Sequence, residues 1–274
     1  MHEMLRVGPG FRLDQVDTGA TPGIDADKKT TERMLAEGAE RLSALQERLF
    51  ADSRAGGTRR VLLVLQAMDT AGKGGILRHV VGAVDPQGVQ LAAFKKPTAE
   101  ELEHDFLWRI EKRLPEAGMI GVFDRSHYED VLIGRVRQLA PADEIERRYD
   151  EIRAFEQRVA DSGTEIVKVM LHISSAEQKA RLTERLERPD KHWKYNPGDV
   201  DERMLWAEYQ AAYQLVLDRT DAPHAPWYVV PADHKWYARL AVQAILLAAL
   251  ERIDPQWPAA DYDVEHEKAR LAAT

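Results

Sequence analysis

Asp69, Gly72 and Lys73 stand close together in Gln66-Ala-Met-Asp-Thr-Ala-Gly-Lys-Gly-Gly75, a grouping suited to holding phosphate. Backbone amides of a glycine-rich turn at a helix N-terminus offer donors and positive potential to an anion, and a lysine adds a mobile charge. Measured against the phosphate-loop pattern G-x-x-x-x-G-K-[ST], Ala67 occupies the place of the first glycine and Gly74 the place of the Ser or Thr. That hydroxyl normally ligates Mg²⁺ beside the phosphates. Asp69 is the substitute inside the loop, because Mg²⁺ favours hard oxygen ligands. The plainer alternative is a turn that ends a strand and leaves Lys73 solvated. A second acid, Asp124, follows the apolar Val122-Phe123 in the position of a Walker B carboxylate, and Arg125 beside it is a planar donor for phosphoryl oxygens. For Asp124 the competing role is a helix cap. Asp69, Lys73, Asp124 and Arg125 are therefore the expected catalytic set, with Asp69 and Asp124 holding Mg²⁺. The loop residues Met68, Thr70, Ala71, Gly72 and Gly74 are expected to cradle phosphate.

Other residues extend this set. Lys95 and Lys96 precede Pro97-Thr98 at the end of a strand, either as a solvated pair or with one of them on a phosphate. His127, Glu129 and Asp130 lie at a helix start, where one acid caps and another faces ligand; Glu129 joins the binding set and His127 is expected to be structural. From Lys179 to Lys194 the basic residues Lys179, Arg181, Arg185, Arg188, Lys191 and Lys194 alternate with Glu184, Glu187 and Asp190. Pairing along an exposed helix would use many of them. The Arg188-Pro break, Trp193 and the Lys194-Tyr-Asn-Pro turn instead suit a lid over bound phosphates, with Arg185, Arg188 and Lys194 as its contacts. The nine histidines show no metal-ligand spacing, so no zinc site is inferred.

These groups need elements to position them. Val61 to Leu65 is an apolar run suited to a strand covered on both faces, and Ile76, Leu77, Val80, Val81 and Val84 follow the loop at helical spacing. Further strands are expected at 89–94, 118–123, 165–173 and 227–230. Helices are expected at 30–52, from Thr98 through Leu102, Phe106, Leu107, Ile110 and Leu114, and at 142–161, 175–187, 199–219 and 233–252. Alternation of strands and helices implies parallel β-α-β units, an α/β fold with a sheet covered on both faces and ligand bound beyond the strand C-terminal ends. The organisation expected is an arm over residues 1–29, a phosphotransferase domain over 30–254 with its lid at about 175–203, and a polar tail over 255–274.

Composition sets the bounds. The chain has 274 residues, 44% of them apolar, enough for one large domain. A net charge of −8 argues against a nucleic-acid surface, although a local basic groove with metal ions still suits a polyanion. The absence of cysteine suits a reducing cytosol, and neither a signal peptide nor a run of roughly 18 apolar residues is present, so a cytoplasmic location without membrane is expected.

The motifs together resemble the polyphosphate kinase type 2 family. The matching segments are Gln66 to Gly75, Phe94-Lys-Lys-Pro-Thr98, Phe123 to Leu132, Arg188 to Pro197 and Pro226-Trp-Tyr-Val-Val-Pro231, within a likeness running from about Leu13 to Leu250. The resemblance implies a three-layer α/β/α P-loop kinase fold like thymidylate kinase, with a five-stranded parallel sheet and a helical lid. It implies Mg²⁺-dependent phosphoryl transfer between inorganic polyphosphate and a nucleotide, ADP and ATP first, with AMP and GDP/GTP as further candidates, and a homo-oligomer. Asp69 and Asp124 then orient the acceptor phosphate through Mg²⁺, Lys73 and Arg125 bind the transferring phosphates, and the lid closes on them. The stretch at His127-Tyr-Glu-Asp130 is similar to class III members, which accept mono- and diphosphates, whereas Asp124 and Gly74 lean towards class I. An ATP-dependent nucleoside monophosphate or small-molecule kinase is the rival reading. A nucleotide switch is a further one, against which the absence of a guanine-reading [NT]-K-x-D motif counts.

Overall fold

The computed structural model describes residues 1–274, the side chain of Lys28 excepted. Its five strands are β1 (Arg60–Ala67), β2 (Val89–Ala93), β3 (Ile120–Asp124), β4 (Thr164–His172) and β5 (Trp227–Pro231). They form one parallel sheet in the order β2-β3-β1-β4-β5, as the alternation of strands and helices requires. The helices are α1 (Lys28–Arg54), α2 (Lys73–His79), α3 (Ala99–Leu102), α4 (Trp108–Glu111), α5 (Ile133–Val136), α6 (Ala142–Asp161), α7 (Ser175–Glu187), α8 (Gly198–Met204), α9 (Trp206–Thr220), α10 (Lys235–Ile253) and α11 (Val264–Ala272).

The continuous apolar run of β1 splits by its period of two between the faces of the sheet. Val61, Leu63 and Leu65 pack with α1, α2 and α10, while Leu62 and Val64 pack with α6 and α9. Three layers result, with β1 buried at the centre. Helices α1 and α10 lie so close that a side chain at Gly38 would strike the Gln243 amide.

Three expected helices differ in the structure, and the one after the phosphate loop stops at His79, with Val81–Ala83 forming only a 3-10 turn and Val84 extended. The run from Thr98 to Leu114 breaks into α3 and α4 because Asp105 turns on itself: its Oδ1 accepts from Leu107 N (2.9 Å) and its carbonyl from Trp108 N (2.9 Å). This local pairing competes with the helical ladder. The segment after β4 is likewise divided, since Leu205 leaves helical geometry between α8 and α9. The N-terminal arm meets the sheet edge at Arg6 and Val7, where Val7 N donates to Trp227 O (2.9 Å) and Arg6 bridges Tyr228, and Leu5, Val7 and Leu13 are buried. Among the described residues no helix is long and apolar enough to cross a membrane.

Candidate active site

The register of β1 against β3 places Leu65 opposite Asp124, so the turns leaving both strands emerge side by side. Arg125 N then donates to Leu65 O (3.0 Å), locking the two strand ends together. In the first turn, Gly72 adopts φ +120°, a conformation that favours glycine, and Thr70 has φ +66°. In the second, Arg125 has φ +65°. Two non-glycine residues are thus held in the left-handed region, one in each turn, and such strain concentrates at functional positions. Its result is visible: the reversed backbone at Arg125 carries the guanidinium back to Asp69, with Nη2 to Oδ1 at 3.0 Å, and to Glu129 at 3.7 Å. Lys73 Nζ lies 3.9 Å from Asp124 Oδ1. The two carboxylates thus each face a cation.

Asp69, Thr70, Ala71, Gly72, Lys73, Gly74 and Asp124 line one cavity of about 510 Å³. Its remaining walls supply Arg78 and His79 from α2, Arg181, Glu184 and Arg185 from α7, Arg188, Lys191 and Lys194 beyond it, and Lys235 and Arg239 from α10. Nine lysines and arginines there face three carboxylates, in a chain whose net charge is −8. Positive charge is thus concentrated in one cavity of a chain that is negative as a whole. Gly72, Lys73 and Gly74 have no backbone acceptor for their amides among the described residues, as expected at the start of a helix.

Arg181 holds the loop in shape, a role that sequence reasoning missed. Buried at 5% exposure, it donates through Nη1 to the carbonyls of Thr70 (3.0 Å) and Ala71 (2.9 Å), and through Nη2 to those of Ala232 (2.6 Å) and Asp233 (3.0 Å). Lys235, Arg239, Arg78 and His79 were missed as well. Lys235 follows the C-terminal end of β5, the same signal that marked the ends of β1, β2 and β3.

The other expected site residues are distributed more widely. Met68, Asp69, Arg125 and Glu129 line a smaller hollow of about 70 Å³ with Glu202, Tyr209 and Tyr213. Burial raises the Glu129 carboxyl above its ordinary range, opposed by Arg125 and Lys73. Gln66 fixes it once its amide is oriented to satisfy both neighbours, the nitrogen donating to Glu129 (3.0 Å) and the oxygen accepting from Ser126 N (3.1 Å). Lys95 and Lys96 line a third hollow beyond β2, together with Arg109 and Arg113, and not the phosphate-loop cavity. Arg185 donates to Lys194 O (3.1 Å) and Asp199 (3.2 Å), and half-exposed Arg188 is held between Glu184 and Asp190 at 2.9 Å from each. His127 is fully buried, with Nε2 3.2 Å from Glu156.

Asp69 and Asp124 are the two carboxylates that the strand ends themselves bring to the loop cavity. Among the described residues no group of three or more His, Cys, Asp or Glu could cage a metal ion. Mg²⁺ suits such a pair, because it keeps water and substrate phosphate oxygens as its other ligands. The fit is supported by Asp124 Oδ1, a buried carboxylate oxygen without any hydrogen bond among the described residues.

This α/β/α arrangement, with a glycine-lysine loop after the central strand, defines a P-loop-type kinase. Residues 25–258 match the family model Polyphosphate kinase 2 (PPK2), and the chain belongs to that family. It is 44% identical over 248 residues to an AMP/ADP-polyphosphate phosphotransferase of Meiothermus ruber, covering 90% of this chain and 91% of the relative. An ADP-polyphosphate phosphotransferase of Rhodopseudomonas palustris is 42% identical over 270 residues, with coverage of 93% and 92%. The crystal structure of polyphosphate kinase 2 from Arthrobacter aurescens TC1 superposes with a TM-score of 0.97 at 57% identity, covering 99% of this chain and 96% of that one.

Proposed function

We propose that this chain moves a phosphoryl group between inorganic polyphosphate and a nucleotide in a Mg²⁺-dependent reaction, with ADP and ATP as the principal pair and AMP as a further acceptor. The observation that carries this reading is the cationic cavity that the two carboxylates share. Nine lysines and arginines in its lining suit a donor made of repeated phosphates and lacking a base. The AMP/ADP-polyphosphate name of the Meiothermus ruber relative supports AMP as an acceptor.

Asp69 and Asp124 would hold the metal, which neutralises charge on the oxygens around the transferred phosphorus. The other roles belong to the chain's own groups. The loop amides and Lys73 bind the donor's terminal phosphate. Arg125, steadied by Asp69 and Glu129, faces the acceptor's phosphate and keeps the two reactants in line. Arg185, Arg188 and Lys194 hold the donor chain further out and exclude water as a lid over about 175–203. The homo-oligomer implied by the resemblance belongs to the same reading and is checked by light scattering.

The test is purified protein with Mg²⁺, long-chain polyphosphate and either ADP or AMP. ATP is expected from ADP, and ADP from AMP. Transfer from ATP but never from polyphosphate would reassign the chain to the ATP-dependent kinases.

A further inference from the structure

A further cavity, of about 490 Å³, lies beyond the end of β4, walled by the N-terminal arm and α9. It shares no lining residue with the phosphate-loop cavity. Its volume falls in the range of small-molecule sites, ~300–1,000 Å³.

The lining selects a chemistry. Leu13, Val16 and Ile173 give apolar walls, and Trp206 gives a half-buried aromatic one. Arg12 is engaged by both oxygens of Asp14 (3.2 and 2.9 Å), so the charged groups of the lining balance and the cavity carries no net charge, unlike the phosphate-loop cavity. Gln214 is spent as well, accepting from Leu13 N (2.7 Å) and donating to Phe11 O (3.0 Å). Two polar groups are left over. Gln210 Nε2 is buried without an acceptor. His172 is only 7% exposed, and its ring makes no hydrogen bond among the described residues. Burial, partly offset by Asp233, pushes that imidazole down to about 4, so it stands neutral at physiological pH with one donor and one acceptor nitrogen. An unpaired buried donor such as the Gln210 amide costs stability unless a ligand or water completes it.

We propose that this hollow binds an uncharged heteroaromatic ring of nucleobase or nucleoside size, stacked on Trp206 and hydrogen-bonded at its edge by Gln210 and His172. A flat ring with mixed donors and acceptors satisfies the aromatic wall and both orphan groups together. The site touches the root of α7: Ser174 N is anchored on Asp233 Oδ1 (2.8 Å), and Ser175 O accepts from Arg203 Nη1 (2.7 Å). Occupancy therefore bears on the segment that carries Arg181 and Arg185. The proposal stands apart from the reaction assigned above.

Adenosine and guanosine serve as probes, since neither carries a phosphate for the cationic cavity. Calorimetric titration of the full chain is expected to show one nucleoside bound per chain. Gln210→Leu should weaken binding at least fivefold. Ala211→Trp, a bulky ring placed on the exposed face of α9 at the rim, should abolish it, while Lys73→Ala leaves it unchanged. Circular dichroism verifies that each variant is folded. Absence of binding to both nucleosides overturns the proposal, as does binding that survives Ala211→Trp and disappears with Lys73→Ala, which would place the nucleoside in the phosphate-loop cavity.

Discussion

Asp69 meets Arg125 at 3.0 Å and lines the same cavity as Asp124, where the proposed reaction has it hold the metal as well. Replacing it with Asn keeps the shape and removes the charge. Turnover of Asp69→Asn is expected to fall at least about 10²-fold with the fold intact, the size of effect typical for loss of one preorganised electrostatic group. Near-wild-type rates would remove Asp69 from the metal site. A companion variant tests the substitution argument itself. A side chain added at Gly74 meets nothing within 4 Å, so Gly74→Ser restores the missing loop hydroxyl without a clash. Placed on Asp69→Asn, it should recover part of the lost rate; no recovery would show that Asp69 does more than stand in for that hydroxyl. Arg181 calls for a different readout. Arg181→Met leaves four carbonyl contacts unmade, and the loop should shift enough to lower kcat by about 10²-fold while the phosphate-binding side chains remain.

Among the elements, α6 and β4 are joined by a buried pair absent from any motif. Lys168 Nζ reaches Glu156 Oε2 (2.6 Å), Tyr128 OH (2.9 Å) and Thr220 O (2.8 Å), and Glu156 Oε1 meets His127 and Tyr128. Burial works against both charges, yet Lys168 and His127 together hold the Glu156 carboxyl below its ordinary range. Lys168→Met strands that carboxylate and is expected to destabilise by about 3–5 kcal/mol, whereas Lys168→Met with Glu156→Leu should be milder. Chemical denaturation of both variants measures the difference; equal losses would show that the pair itself is unimportant. The proposed lid is tested by Arg188→Ala, which should weaken polyphosphate affinity more than ADP affinity, and equal effects would place Arg188 outside the donor path. What the sequence disclosed follows a similar division. Asp69, Gly72, Lys73, Asp124 and Arg125 were legible because each sits within a few residues of an apolar strand whose end fixes its place. Arg181, Lys235 and Arg239 were not, because they enter the cavity from helices that only the folded sheet brings near the loop. The pairing of Lys168 with Glu156 was hidden for the same reason, and the break at Asp105 because a side chain outcompeted a sound helical pattern.

At the scale of the whole molecule, electrostatics and acid response become testable. Nine cations on a chain of net charge −8 predict polyphosphate affinity that falls steeply with ionic strength, while the urea midpoint changes little. Salt-independent binding would contradict a charge-driven groove. His172 supplies the pH prediction. Its imidazole titrates near 6.5 when unfolded and near 4 when folded, so between these values the unfolded chain binds the extra proton. Its contribution is therefore fully present above about pH 6.5 and is lost as the pH falls towards 4. The Tm should drop more between pH 7.5 and 5 for the natural chain than for His172→Gln, and parallel profiles would refute the assignment.

The strip formed by Leu5, Val7 and Leu13 rests on Trp227 and its neighbours, partners synthesised more than two hundred residues later. On the ribosome these three side chains wait uncovered until nearly all of the polypeptide has emerged. Chaperone engagement with the nascent chain should accordingly persist until the final strand is out, and severing the strip should expose a raw sheet margin on which neighbouring copies can polymerise.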